Sequence, residues 1–146
     1  MPKDDCYEAL KLENQLCFPL YVCSRQILKL YYPFLKEQDL TYTQYITLLV
    51  LWERAHATIH DLCENLHLDT GTLTPLIRKM EANGLVKRSR NLRDERYVHI
   101  ELTDEGWKLR EKVLSVPEQV ASKMRIAPAD AQALYRILYT MMNTDD

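Results

Sequence analysis

TIHDLCENLHLDTGTLTPLIRKMEANGL, residues 58–85, decides the fold. Thr58 and Asp61 stand at capping-box spacing, and Ile59, Leu62 and Leu66 recur on one face, which predicts a short helix over 58–66. Asp69 is a good N-cap for a second helix, and Gly84 supplies the positive-φ residue that closes one. Two helices joined by the short HLD turn read as a helix-turn-helix. Pro75 would ordinarily clash with the carbonyl four residues back. That carbonyl belongs to Gly71, the most permissive residue available, so GTLTP is consistent with a helix start.

Outward from this unit the period changes. VKRSR and YVHIEL alternate, with Val98, Ile100 and Leu102 on one face, which predicts two antiparallel strands joined by the charged hairpin NLRDER. That hairpin is a wing. Upstream, Leu10 to Tyr31 carries helical apolar spacing and is expected to stop before Pro33. Residues 40–55 form a second helix, with Thr41 or Thr43 near its start. Downstream, Thr103 caps a helix that begins TDEGW and bends at Pro117, with Asp104 and Glu105 complementing its dipole. APADAQALYRILYTMM is the last helix; its Leu134, Tyr135, Leu138 and Met141 are core or interface residues. The expected architecture is a mainly α, single-domain (1–146) winged helix-turn-helix with a two-stranded wing. Residues 58–102 are the DNA-binding lobe, and 7–55 and 103–146 are long dimerisation and sensing helices.

The chain has 146 residues and a net charge of −2, which alone argues against a nucleic-acid binder. The distribution argues the other way. Between Arg78 and Arg96 seven basic residues face three acidic ones, so this segment carries +4 and the remainder −6. In a helix-turn-helix the N-terminal residues of the second helix reach base edges. Here they are Thr70, Thr72 and Thr74, hydroxyls able to bond bases or phosphates and to touch thymine methyls. Arg78 and Lys79 lie a turn further on, within reach of the backbone. Arg88, Arg90, Arg93 and Arg96 line the wing, where Arg96 enters a minor groove and Asp94 orients it. No apolar run is long enough to span a bilayer and no apolar leader opens the chain, so a cytoplasmic protein is expected. There the four cysteines (Cys6, Cys17, Cys23, Cys63) stay reduced, and none forms a CxxC pair.

LENQLCF, Ser24-Arg25, Tyr31, LTYTQY, LWE at 51–53, LDTGTLTPL, RKMEANGL and DER together resemble the organic-peroxide-sensing repressors of the MarR family, the OhrR type. The resemblance runs from Leu10 to Gly106. It implies a homodimeric winged-helix repressor of a pseudo-palindromic operator, with its N- and C-terminal helices at the dimer interface and no cofactor. It further implies that Cys17 is the peroxide-reactive residue, hydrogen-bonded by Tyr31 and Tyr42. Fourteen residues separate Cys17 from Tyr31, nearly four whole turns, so both share a helix face yet lie ~21 Å apart. They meet only if a second copy's helix runs antiparallel alongside, which makes the site intersubunit. Tyrosine hydroxyls donating to sulfur favour thiolate, and a thiolate attacking a peroxide becomes sulfenic acid. The apolar wall of Leu16, Phe18, Leu20 and Tyr21 favours organic hydroperoxides.

This chain departs from the family at two points. Pro19 deprives the Gln15 carbonyl of a helical partner, which is expected to bend the helix or loosen the site. Two-cysteine members carry a resolving cysteine after the wing, whereas no cysteine follows Cys63 here. A one-cysteine mechanism follows, in which a small cellular thiol traps the sulfenic acid. Cys6 is a candidate local resolver, and Cys23, about 240° round the helix from Cys17, is a packing residue. Three other functions compete. A thiol peroxidase would not need a DNA-reading unit. A zinc-responsive repressor would use His56, His60, Cys63 and His67, which share a helical stripe if one helix carries them all. A MarR-type repressor answering a phenolic ligand would leave Cys17 incidental.

Overall fold

The computed structural model describes residues 4–91 and 94–144. Two 3-10 segments, Asp4–Leu10 and Leu12–Asn14, precede α1 (Cys17–Lys36) and α2 (Tyr42–Arg54). Strand β1 (His56–Thr58), α3 (Ile59–Leu66), α4 (Thr70–Ala82), β2 (Val86–Asn91) and β3 (Asp94–Leu102) make the central lobe. Helices α5 (Asp104–Val113), α6 (Val116–Lys123) and α7 (Pro128–Met142) complete the chain. This is a winged helix-turn-helix.

Its termini follow from the local chemistry. Thr41 accepts from the Gln44 N–H at 3.3 Å while the Gln44 side chain accepts from the Thr41 N–H at 3.1 Å, so Thr41 rather than Thr43 caps α2. Thr58 and Asp61 form the same reciprocal pair, at 2.9 and 3.0 Å. Asp69 accepts from the Thr72 N–H at 2.7 Å. Gly84, at φ +75°, ends α4, with Leu85 donating to the Met80 carbonyl and Gly84 to that of Glu81. His67 closes α3 from the left-handed region, φ +52°, where a glycine or asparagine would be usual.

Leu48, Leu51, Leu62, Leu73, Ile77 and Ile100 are wholly enclosed, so the core lies where α2, α3, α4 and the sheet converge. Trp52 adds a polar tie: its indole N–H donates to the Gly106 carbonyl at 3.0 Å. The sheet has three strands in the order β1-β3-β2, one more than the wing alone requires. β1 pairs antiparallel with β3, setting Ala57 opposite Ile100, and both are buried.

Two proline expectations are corrected. Helix α1 runs through Pro33 to Lys36. Only the bond to the Lys29 carbonyl is forfeited, and the last turn is pinned by Leu35, which is buried in the core. Pro19 neither bends nor breaks α1, because α1 starts at Cys17 and not near Leu10. The first four N–H groups of a helix have no intrahelical acceptor, so the third residue can be proline without loss. Gln15 is extended, φ −94°, ψ 111°, so the clash with a helical carbonyl one turn back does not arise.

Much apolar surface is left over. Among the described residues α7 buries none, and Leu134, Tyr135, Ile137, Tyr139 and Met141 are all exposed. At the other end of the chain Leu10, Leu12, Leu16, Phe18 and Tyr21 are exposed too. A single chain in water does not leave two such faces bare; they are faces for another subunit.

Candidate redox and nucleic-acid sites

Helix α4 presents its N-terminal half outward. Thr70 and Thr72 are exposed, Thr74 is half-buried, and Arg78 and Lys79 are exposed beyond them. The same helix turns Leu73, Ile77 and Met80 inward, which fixes its rotation. Arg88 has a different setting from that expected. Its guanidinium donates to Glu81 at 3.0 Å and its backbone N–H to the same carboxylate at 3.0 Å, tying β2 to α4. Those two bonds, the backbone one first, hold the Glu81 carboxyl below the usual carboxylate range. Arg93 lies outside the described residues, as do the side chains of Arg90, Asp94 and Arg96.

Tyr31 and Tyr42 come together. Their ring centroids lie 5.1 Å apart where α1 crosses α2. A third ring, Tyr45, completes the group at 5.7 Å from Tyr31 and 6.2 Å from Tyr42, and it is only 3 % exposed. Sequence reading missed Tyr45, although its i, i+3 spacing from Tyr42 places the two on one helix face. Cys17 stands at the far end of α1, exposed, as its first helical residue. Cys23 is exposed as well, so its expected packing role is not met within one subunit. Cys6 is exposed on the N-terminal 3-10 segment.

Burial raises the pKa of Tyr31 and of Tyr42, with the neighbouring Tyr42 adding to the effect on Tyr31. Tyr45 is pushed up to about 12, by burial first and then by Tyr31 and Tyr42. All three hydroxyls therefore stay protonated, and able to donate, throughout the physiological range. Unfolded tyrosine ionises near 10. Between about pH 10 and 12 the unfolded chain has lost protons that the folded chain keeps, so stability is full below that window and falls as pH rises through it. Tyr45→Phe should make that alkaline loss shallower in thermal melts at stepped pH. Identical slopes would show that folding does not hold Tyr45 protonated.

The zinc arrangement does not form. His56 lies in β1, outside α3, and His60 faces Glu64 at 3.3 Å. Cys63 is half-buried, with Thr70 Oγ1 3.8 Å from its sulfur. Among the described residues no three His, Cys, Asp or Glu side chains converge.

Comparison with known proteins gives this geometry a context. A family model described as transcriptional regulator SarA/Rot matches residues 29–113. The organic hydroperoxide resistance transcriptional regulator of Bacillus subtilis is 43 % identical over 138 residues, 94 % of each chain. The solved structure of reduced AbfR bound to DNA is similar at 35 % identity and a TM-score of 0.76, over 92 % of this chain and 94 % of that one. Overoxidised AbfR bound to DNA gives 36 % and 0.75, over 92 % and 95 %; another AbfR structure is identified as from Staphylococcus epidermidis. The chain belongs to the MarR family of winged-helix transcriptional regulators. Among the described residues, no helix is long and apolar enough to cross a membrane.

Proposed function

We propose that this chain is a cytoplasmic, homodimeric repressor that releases its operator when an organic hydroperoxide oxidises Cys17. The observation that carries the reading is the Tyr31–Tyr42 pair, 5.1 Å between rings, at one end of the helix that bears Cys17 at the other. Tyr31 lies nearly four turns along α1 from Cys17, ~21 Å away, so a subunit's own Tyr31–Tyr42 pair cannot touch its thiol. A partner helix running antiparallel brings each thiol to the other subunit's tyrosines. The exposed apolar faces of α1 and α7 supply the contact surface.

The chemistry then balances. The Cys17 thiolate attacks the terminal oxygen of R–O–O–H; an S–O bond forms, the O–O bond breaks, the attacked oxygen keeps its proton as the sulfenic acid, and the departing alkoxide takes a proton from water to leave as an alcohol. Two hydroxyls donating to sulfur stabilise the thiolate, and the positive end of the α1 dipole favours negative charge at that position. A small cellular thiol condenses with the sulfenic acid, releasing water and leaving a mixed disulfide. We assign operator release to that bulkier adduct. Overoxidised AbfR was crystallised on DNA, which supports the view that added oxygen alone is not enough.

In this reading Thr70, Thr72 and Thr74 meet base edges while Arg78 and Lys79 meet phosphates. Arg90, Arg93, Asp94 and Arg96 supply the wing contacts, and Arg88 orients the wing through Glu81. Tyr31→Phe or Tyr42→Phe tests the sensor. A hydrogen bond to a charged group contributes about 1.5–3 kcal/mol, so Cys17 oxidation should slow about tenfold or more. The affinity of the reduced variants for DNA should stay near wild type. Unchanged oxidation rates in both variants would remove the tyrosines from the mechanism.

A further inference from the structure

Helix α1 carries a stripe that Cys17 and Tyr31 bracket. Cys17, Tyr21, Ser24, Leu28 and Tyr31 recur at spacings of four, three, four and three, which sets them on one face of the helix. Cys17, Tyr21, Ser24 and Leu28 are exposed, and Tyr31 is half-buried. Ser24, the small residue at the centre, stands seven positions from either end. Charge divides along the chain as well. Residues 17–36 hold Arg25, Lys29 and Lys36 and no acidic residue, which gives +3. Residues 4–14 hold Asp4, Asp5, Glu8 and Glu13 against Lys11, which gives −3.

We infer that two copies of α1 cross antiparallel, with the two-fold axis of the dimer passing through Ser24. The inference rests on the redox reading above, which sets Cys17 against the other subunit's Tyr31, and deepens it by fixing the register of that contact. Two-fold symmetry makes every contact reciprocal: where residue i faces residue j, j faces i. Cys17 facing Tyr31 therefore leaves the residue midway between them, Ser24, facing its own copy. The distance between two packed helices depends on the side chains at their contact, and a serine there lets the backbones approach closely. The same register sets Leu20 opposite the partner's Leu28 and Leu16 opposite the partner's Tyr32. Within one subunit Leu16 is 72 % exposed and Tyr32 is 62 % exposed, so both have surface to bury. It also carries each acidic N-terminal segment towards the basic C-terminal half of the other α1. A parallel pairing would set like charge against like.

Engineered thiols test the crossing, since a disulfide forms only where the two Cα atoms come within about 7 Å. In protein whose four natural cysteines are replaced by serine, Ser24→Cys is oxidised with diamide and run on a non-reducing denaturing gel. The expected result is a covalent dimer. Leu28→Cys should stay monomeric on the gel, because its two copies lie ~12 Å apart along the crossing. Leu20→Cys combined with Leu28→Cys should cross-link again, and carries the test if Ser24→Cys folds poorly. Protein that is dimeric by light scattering yet cross-links neither at position 24 nor through the 20–28 pair overturns the register. Cross-linking of Leu28→Cys alone overturns it too. No peroxide is needed for the cross-link, so the crossing and the redox reading fail separately. Wild-type operator binding that is indifferent to organic hydroperoxide, together with a cross-link at position 24, overturns the redox reading and supports the crossing.

Discussion

Cys17→Ser is expected to hold operator DNA with unchanged affinity in excess organic hydroperoxide and thiol, where wild type should lose about 100-fold, close to 2.7 kcal/mol. Serine keeps the size and polarity of the side chain but offers no thiolate for the peroxide to oxidise. In the proposed mechanism the switch acts through shape. A mixed disulfide at Cys17 adds a bulky group where α1 begins, beside the surfaces left for the partner. Close-packed interfaces accommodate such additions by shifting whole helices, and two recognition helices must sit ~34 Å apart to read both half-sites. Oxidised wild type should run as a monomer on a non-reducing denaturing gel and regain affinity when thiol is added. If Cys17→Ser releases DNA as readily as wild type, the sensor is elsewhere. A covalent dimer abolished by Cys6→Ser would make Cys6 the resolving thiol.

Gly106→Ala should destabilise the reduced protein by about 3 kcal/mol, at the upper end for overpacking. A Cβ there would lie 2.3 Å from the Leu85 carbonyl oxygen and 3.0 Å from Leu102. The obstacle cannot easily yield. The same Leu85 oxygen accepts the Thr103 N–H at 3.0 Å, and the Gly106 carbonyl accepts from Trp52. Thr103 also donates its hydroxyl to the Gly84 carbonyl and accepts from the Gly106 N–H at 3.1 Å. Pushing α5 away would strain all of these at once. Melting at fixed protein concentration should show a fall of roughly 10 °C. An unchanged melting temperature would mean that α5 slides freely over the end of α4.

The elements that rest on local chemistry were legible in the sequence. Thr58 with Asp61, Asp69, Gly84 and Thr103 each act through residues one turn away, and each sits where its spacing predicts. What needed tertiary information was not legible. Strand β1 has three residues and becomes a strand only by pairing with β3, some forty residues later. Pro33 reads as a stop because its local cost is visible, whereas the burial of Leu35 that outweighs it is not. Pro19 reads as a disruption because helical apolar spacing already runs from Leu10, whereas α1 begins at Cys17. Of the candidate site, Tyr31 and Tyr42 are named by the family resemblance, while the place of Tyr45 in the group depends on how α2 packs against α1.

The late start of α1 has a mechanical consequence. Because Gln15 is extended and Pro19 donates nothing, Cys17 opens α1 right at the joint with the segment before it, and not in mid-helix. A modification in mid-helix would have to break backbone hydrogen bonds before anything moved, so much of its effect would be absorbed locally. At a joint the preceding segment can be re-aimed with α1 left whole. The disturbance passes along twenty residues of rigid rod towards the crossing with α2. In the proposed mechanism, a reactive residue at the start of a rod whose other end carries the tyrosine pair makes each subunit both the trigger and the receiver of the other's chemistry.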